Sequence, residues 1–197
     1  MKKFFVAPAL LLASLSCQAE LIGFEDGLSP LFTYSDITYS SDYYGYAGED
    51  DTGYNSVIDF TGSKAHVYNG YAASPSDFIW SDVDGSFDLG SFVIAGAWGN
   101  QTLTIEGFND GALLYSELLD VTREAFEAIF NWSGIDQFRI NIDPNGYVHT
   151  AKASGSGQHW ALDNIKVNEF VSKDVPAPAA IFLAMLAGIG LLSARRR

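Results

Sequence analysis

Apolar and polar positions alternate along much of this chain, most cleanly where Leu103 and Ile105 fall between Thr102, Thr104 and Glu106. A period of two is the signature of a strand with one buried face. Asn109-Asp110-Gly111 follows, a run suited to a tight hairpin turn, so residues 112–119 are predicted to pair back onto residues 102–108. Residues 21–24 read as a first strand closed by the Asp26-Gly27 turn. Ser56-Val57-Ile58-Asp59-Phe60 and Ala65-His66-Val67-Tyr68-Asn69 are two strand candidates, with Gly62 and Ser63 as a hairpin loop between them. Residues 74–79 are loop leading into Phe78-Ile79-Trp80, and residues 85–98, 135–142 and 159–167 complete the strand candidates. Only residues 122–129 show helical spacing, through Ala125, Phe126, Ala128 and Ile129, which predicts a short helix or turn running into a strand near Phe130-Asn131-Trp132. Residues 29–53 follow neither period and predict a long ordered loop or two short strands. Many short strands with turns about every ten residues predict an all-β sandwich, and the absence of a fixed repeat argues against a propeller or solenoid.

The two ends have a different texture. Lys2 and Lys3 precede an apolar run over residues 4–15, and Ser16-Cys17-Gln18-Ala19 places small residues for cleavage after Ala19. Residues 1–19 are therefore predicted to be a secretory signal peptide. Cys17 also raises a lipoprotein site, to which Ser14-Leu15-Ser16 is a poor match. At the other end, Lys173 to Pro178 reads as a linker, residues 179–194 are almost wholly apolar, and Arg195, Arg196 and Arg197 follow. That run is near the lower length limit for crossing a bilayer. The arginines would stay on the cytoplasmic side, which places the rest of the chain outside. Residues 20–172 are long enough to form one domain with its own core.

Composition sharpens this picture in two ways. Cys17 is the only cysteine and lies in the expected signal, so the domain has no disulfide and is held by its core or by a bound metal. The formal net charge is −13, and the basic residues between the two ends are only Lys64, Arg123, Arg139, Lys152, Lys166 and Lys173. Such a surface repels nucleic acid, favours solubility and suits divalent cations.

The candidate contact chemistry is aromatic. Tyr34, Tyr39, Tyr43, Tyr44 and Tyr46 are interleaved with Ser, Asp and Gly, and Tyr54, Tyr68, Tyr71 and Trp80 lie nearby in sequence. Tyrosine stacks on a sugar ring with its face and bonds hydroxyls with its tip, so Tyr43, Tyr44 and Tyr46 are the candidate glycan platform. Core packing would claim about half of these rings, since alternate strand residues point inward. Trp98, Trp132 and Trp160 sit in strand-like runs and are expected in the core. Glu49-Asp50-Asp51 reads as a solvated acidic loop; Asp82-Val83-Asp84-Gly85 and Asp143-Pro144-Asn145-Gly146 read as turns, because neither has the full calcium loop. His66, His149 and His159 lack metal-ligand spacing and no Gly-x-Ser-x-Gly elbow is present, so the chain is not expected to be an enzyme.

Val175, Pro176 and Pro178, followed by the apolar run and the arginine cluster, resemble the PEP-CTERM sorting tail of Gram-negative bacteria, with Ala177 where Glu is usual. The resemblance implies an exosortase-like processing enzyme and a C-terminal helix that holds the chain in the membrane before processing. Ile22-Gly23-Phe24-Glu25, residues 103–111 and Trp160-Ala161-Leu162-Asp163-Asn164-Ile165-Lys166-Val167 resemble a recurring sandwich domain of such exported proteins. That domain looks like the jelly-roll sandwiches of carbohydrate-binding modules. The likeness implies adjacent first and last strands sharing a structural calcium, here at Glu25 and Asp163 with Asp26. The expectation is an exported, non-catalytic cell-surface or matrix protein that binds or structures exopolysaccharide. The alternatives are an adhesive protein contacting other proteins and, less favoured, a secreted glycoside hydrolase using paired carboxylates.

Overall fold

The computed structural model describes residues 19–25, 33–34, 37–39, 43–45, 50–80 and 85–171. Its strands are β1 (Glu20–Ile22), β2 (Thr33–Tyr34), β3 (Ile37–Tyr39), β4 (Tyr43–Gly45), β5 (His66–Tyr68), β6 (Ser76–Trp80), β7 (Phe87–Gly96), β8 (Gly99–Asn109), β9 (Ala112–Val121), β10 (Phe126–Ile135), β11 (Gln137–Ile142), β12 (Val148–His149) and β13 (Trp160–Val167). One helix, α1 (Gly53–Thr61), and a 3-10 turn at Gly70–Ala72 complete the described elements. A six-stranded sheet runs β10-β7-β13-β5-β4 with β1 also on β13. A seven-stranded sheet runs β12-β8-β11-β6-β3-β2 with β9 also on β8. All strand pairs are antiparallel, and the two sheets form the expected β-sandwich.

Alternation decides which residues fill the space between the sheets. Leu103 and Ile105 of β8, Phe138 and Ile140 of β11, Leu89 of β7 and Leu162 of β13 are wholly buried. Phe78 and Phe138 stack with ring centres 4.3 Å apart, and Phe92 lies 5.8 Å from Phe138. Each such side chain contributes about 1.5–3 kcal/mol on burial. Among the described residues the main core is drawn from residues between Ile22 and Val167. The predicted β8–β9 hairpin forms, with Asn109 opposite Ala112 and left-handed backbone at Asp110 and Gly111.

Two expectations are overturned. Residues 56–60 are helix, not strand. The Thr52 side chain caps the N-terminus by accepting from the Asn55 amide, and Gly62 ends the helix in the left-handed conformation with its N–H on the Ile58 carbonyl. The apolar residues fit either period, but only Val57 is fully buried, against Val93, Ala95 and Ala161, while Phe60 is exposed. The helix lies close to the sheet because Gly53 has no side chain: a Cβ there would stand 2.2 Å from the Gly96 carbonyl oxygen. The second correction concerns residues 122–129. From Phe126 onward they form β10, which pairs with β7 and turns Ala128, Phe130 and Trp132 into the core. Phe126 and Ala128 begin a period of two that short-range helical spacing concealed.

Among the described residues no helix is long and apolar enough to cross a membrane. The expected signal segment before Ala19, the linker, the apolar run and its arginines lie outside the described residues, as do Asp26, Tyr46 and Glu49.

Candidate functional site

An exposed aromatic ring stands at one margin of the six-stranded sheet. Asn69, wholly buried, is the hub that presents it. Its Nδ2 donates to the carbonyls of Ala73 (3.1 Å) and Gln158 (3.0 Å), and its Oδ1 accepts from the Trp160 amide (2.8 Å). The side chain thus ties the turn after β5 to the start of β13, a span of about ninety residues in sequence. On that turn Tyr71 (φ 53°) and Ala72 (φ 55°) both hold left-handed backbone. The conformation costs an ordinary residue roughly 1–2 kcal/mol. Tyr71 is nonetheless 88% exposed, so core burial does not explain the cost. Strain of this kind is characteristic of functional positions.

Tyr71 lines a shallow pocket of about 280 Å³ with Tyr68, Gly70 and His159. The His159 Nδ1 lies 2.8 Å from the Asn69 carbonyl oxygen. A carbonyl only accepts, so Nδ1 carries the proton, and a neutral ring leaves Nε2 as an acceptor. Burial holds this imidazole below its ordinary pKa, which favours the neutral form. Behind the pocket the rings continue inward: Tyr68 lies 6.3 Å from His159 and 5.3 Å from Tyr54, and Tyr54 lies 5.4 Å from Trp98 and stacks on His66 at 5.2 Å. His66 is buried, and burial lowers its pKa to about 4. Neither of its nitrogens has a partner among the described residues.

Two of the predicted tyrosines, Tyr43 and Tyr44, lie on β4, which pairs with β5. Tyr43 lies directly opposite Tyr68 in the β4–β5 ladder, whereas Tyr44 lies opposite the core residue Val67. Trp80 stacks on the core residue Phe87 at 5.1 Å and is remote in role from the platform. Trp132 and Trp160 are core as expected, while Trp98 is only half-buried, its ring filling the space a side chain at Gly155 would need. The sequence signal for Tyr71 was the preceding Asn69-Gly70, a turn dipeptide that marks a loop tip. His159 carried no signal of its own.

A second cluster forms at the C-terminal end of α1. β1 and β13 lie side by side, with Ile22 opposite Ile165, and this brings Glu25 and Asp163 together. Asp163 is wholly buried. Its Oδ1 accepts from the Asn164 amide at 2.8 Å, and its Oδ2 has no partner among the described residues. The Thr61 and Ser63 hydroxyls lie beside this carboxyl, each also within hydrogen-bond distance of a backbone carbonyl, that of Val57 (2.9 Å) and that of Ala65 (2.7 Å). Burial, reinforced by the Glu25 charge, pushes the Asp163 carboxyl above its usual range. Glu25 is held below it by the Ser63 hydroxyl and by the Lys64 amide at 3.0 Å. A helix C-terminus carries partial negative charge, so two carboxylates there are mutually and locally repelled. Oxygen ligands of this kind suit a hard cation. Among the described residues no group of three or more His, Cys, Asp or Glu gathers, and Asp26, the third ligand the resemblance implies, lies outside them.

A larger groove of about 690 Å³ opens at the other end of α1, between Asp50, Asp59, Asn100, Arg123, Glu124 and Thr150. The expected solvated acidic loop is partly a clamp: Asp51 pairs with Arg123 and accepts from the Lys152 amide at 2.5 Å. These bonds hold its carboxyl below the usual range, with the Lys152 amide the largest cause.

No family model matches the chain, and no curated protein matches it. Among solved structures it is similar to the family 32 carbohydrate-binding module from C. perfringens NanJ in complex with galactose. The two share 12% identity over 68% of this chain and 93% of that one, with a TM-score of 0.35, a likeness too slight to say what this chain binds.

Proposed function

We propose that this chain is an exported, non-catalytic surface protein whose jelly-roll-like sandwich binds exopolysaccharide at the Tyr71 pocket. The observation that carries the reading is Tyr71 itself, an aromatic ring held out to solvent on left-handed backbone by a buried asparagine. A sugar ring stacks on the Tyr71 face, and its hydroxyls donate to His159 Nε2 and bond the Tyr68 hydroxyl. Tyr43 stands opposite Tyr68 in the β4–β5 ladder and remains a candidate contact. The PEP-CTERM-like tail, Val175 to Arg197, directs the chain to an exosortase-like enzyme and holds it in the membrane until it is processed.

Calcium at Glu25 and Asp163 belongs to the same reading. The support is physical: a buried carboxyl with an idle oxygen, a second carboxylate beside it, and the negative end of a helix. The metal would fasten β1 and β13 to α1, a structural task in a domain without disulfides.

The test places residues 20–171 on a polysaccharide and glycan array, with calcium and with EDTA. Specific binding that is lost in Tyr71→Ala and retained in Trp80→Phe supports the pocket. Binding unchanged in Tyr71→Ala moves the site elsewhere, and no binding under either condition ends the polysaccharide reading.

A further inference from the structure

Among the described residues no lysine or arginine lines the Tyr71 pocket. The basic side chains of the domain are few, and their places are known. Arg123 is paired with Asp51 and donates from Nε to the Thr150 hydroxyl (2.8 Å). Arg139 is paired with Asp77 (2.6 Å) and Lys166 with Glu127 (2.8 Å). Lys64 follows the C-terminal end of α1 and bonds Glu25 through its amide, and Lys152 bonds Asp51 in the same way. The tyrosine-rich stretch brings no cation either. Residues 20–63 contain no lysine or arginine, and they include Asp36, Asp42 and Glu49. The other basic residues belong to the two chain ends: Lys2, Lys3, Lys173 and the arginine triplet.

A second surface close to the pocket is acidic. Tyr68 stands opposite Ala161, Ala161 stands opposite Ala95, and the next residue of β7, Gly96, donates its amide to the Thr122 carbonyl. Thr122 lines the groove that also holds Asp50, Asp59 and Glu124. About three strand spacings, roughly 14 Å, therefore separate the groove from Tyr68. The guanidinium in that groove, Arg123, is already matched by Asp51. The Debye length is about 30 Å at 0.01 M salt and about 8 Å at physiological ionic strength, so these carboxylates act on the pocket most strongly at low salt.

We infer that the pocket takes an uncharged sugar unit and that the chain rejects acidic polysaccharides, those carrying uronate, sulfate or phosphate groups. The inference rests on the polysaccharide reading above and adds its ligand class. Carboxylates and phosphates are recognised by charged donors, above all by arginine forks. This pocket offers an aromatic face, which is negative at its centre, and an imidazole Nε2 that accepts. Both repel an anionic oxygen. An uncharged sugar meets no such conflict: its hydroxyls donate to Nε2 and its apolar face lies on Tyr71.

The experiment uses the full chain in a non-ionic detergent and an array that holds neutral glycans beside uronate-, sulfate- and phosphate-bearing ones. Every glycan whose binding is lost in Tyr71→Ala is expected to be uncharged. For the strongest of these, oxidation of a primary hydroxyl to a carboxylate gives a matched acidic probe. Its Kd should be roughly tenfold higher or more at about 0.01 M salt. The gap should narrow at about 1 M, where the Debye length falls to about 3 Å. Ala73→Lys sets a cation at an exposed position just after the Gly70–Ala72 turn, and it should narrow the gap at low salt. An acidic glycan bound through Tyr71 as tightly as its neutral counterpart overturns the inference and leaves the pocket standing. A gap that neither salt nor Ala73→Lys changes does the same. Binding to no glycan ends both readings.

Discussion

The two ends of α1 hold the same residue type under opposite conditions. At the N-terminus Asp51 is partly exposed, paired with Arg123 and bonded to a backbone amide, and its carboxyl is held low. At the C-terminus Asp163 is buried, has one idle oxygen, sits beside Glu25, and its carboxyl is pushed up. The helix dipole reinforces the difference: it welcomes an anion at the first end and repels one at the second. A solved electrostatic problem and an unsolved one therefore stand at opposite ends of one helix. The unsolved one marks where a cation would have its largest effect.

The most disruptive way to break this comparison is to lift the helix off the sheet. Gly53→Ala places a methyl group 2.2 Å from the Gly96 carbonyl oxygen, and backbone cannot give way as a flexible side chain can. The expected loss is about 3 kcal/mol or more, measured by urea unfolding, and both ends should lose their structure together. A loss below about 1 kcal/mol would mean that the helix docks less tightly than its contacts state.

Calcium tests the C-terminal end alone. Saturation at a hundred times Kd adds about 2.7 kcal/mol, a rise in Tm of roughly 5–10 °C for a domain of this size. Asp163→Asn should abolish that rise. The pH dependence carries the sign: a carboxyl whose pKa is raised by folding binds more protons in the native state, so metal-free stability falls as pH rises from the ordinary carboxylate value through the raised one. Asp163→Asn should remove this slope. A calcium response that persists in Asp163→Asn would place the metal elsewhere.

Buried His66, stacked under Tyr54 of the helix, gives the opposite slope and must be separated from it. Its pKa falls from 6.5 to about 4 on folding, so stability is full above pH 6.5 and on the order of 3 kcal/mol is lost as pH drops to about 4. His66→Phe should flatten that acid limb, and an unchanged limb would mean that another group controls it.

The smallest expected effects lie at the N-terminal end. Thr52→Ala removes the cap on the Asn55 amide and should cost about 1 kcal/mol. Asp51→Asn weakens the Arg123 pair, and its effect should vanish as pH falls through the lowered carboxyl value, since that contribution exists only while Asp51 is ionised. Neither change should alter the calcium response.

Much of the fold was legible because its signals are local. The period of two in β8 and the Asn109-Asp110-Gly111 turn specify a hairpin without help from distant residues. The adjacency of the first and last strands, expected from a resemblance, is present in the β1–β13 ladder. α1 was misread because Val57, Ile58 and Phe60 satisfy both periods, although its punctuation, Thr52 before and Gly62 after, was in plain view. The candidate site was less legible. Tyr43 pairs opposite Tyr68 in the β4–β5 ladder, yet Tyr71 and His159 meet only because Asn69 bonds residues about ninety positions away.

By itself, then, the sequence determined the sandwich, its hairpin and the chemistry of its surface: acidic, tyrosine-rich, and without a cysteine after residue 17. Periodicity, turn residues and charge act over a few residues, and a linear reading captures them. Among the described residues, tertiary structure alone decided that Tyr71 stands in solvent and that Asp163 is buried with one carboxylate oxygen unpaired. Exposure and desolvation depend on what packs against a residue from elsewhere in the chain. No local pattern encodes that neighbour.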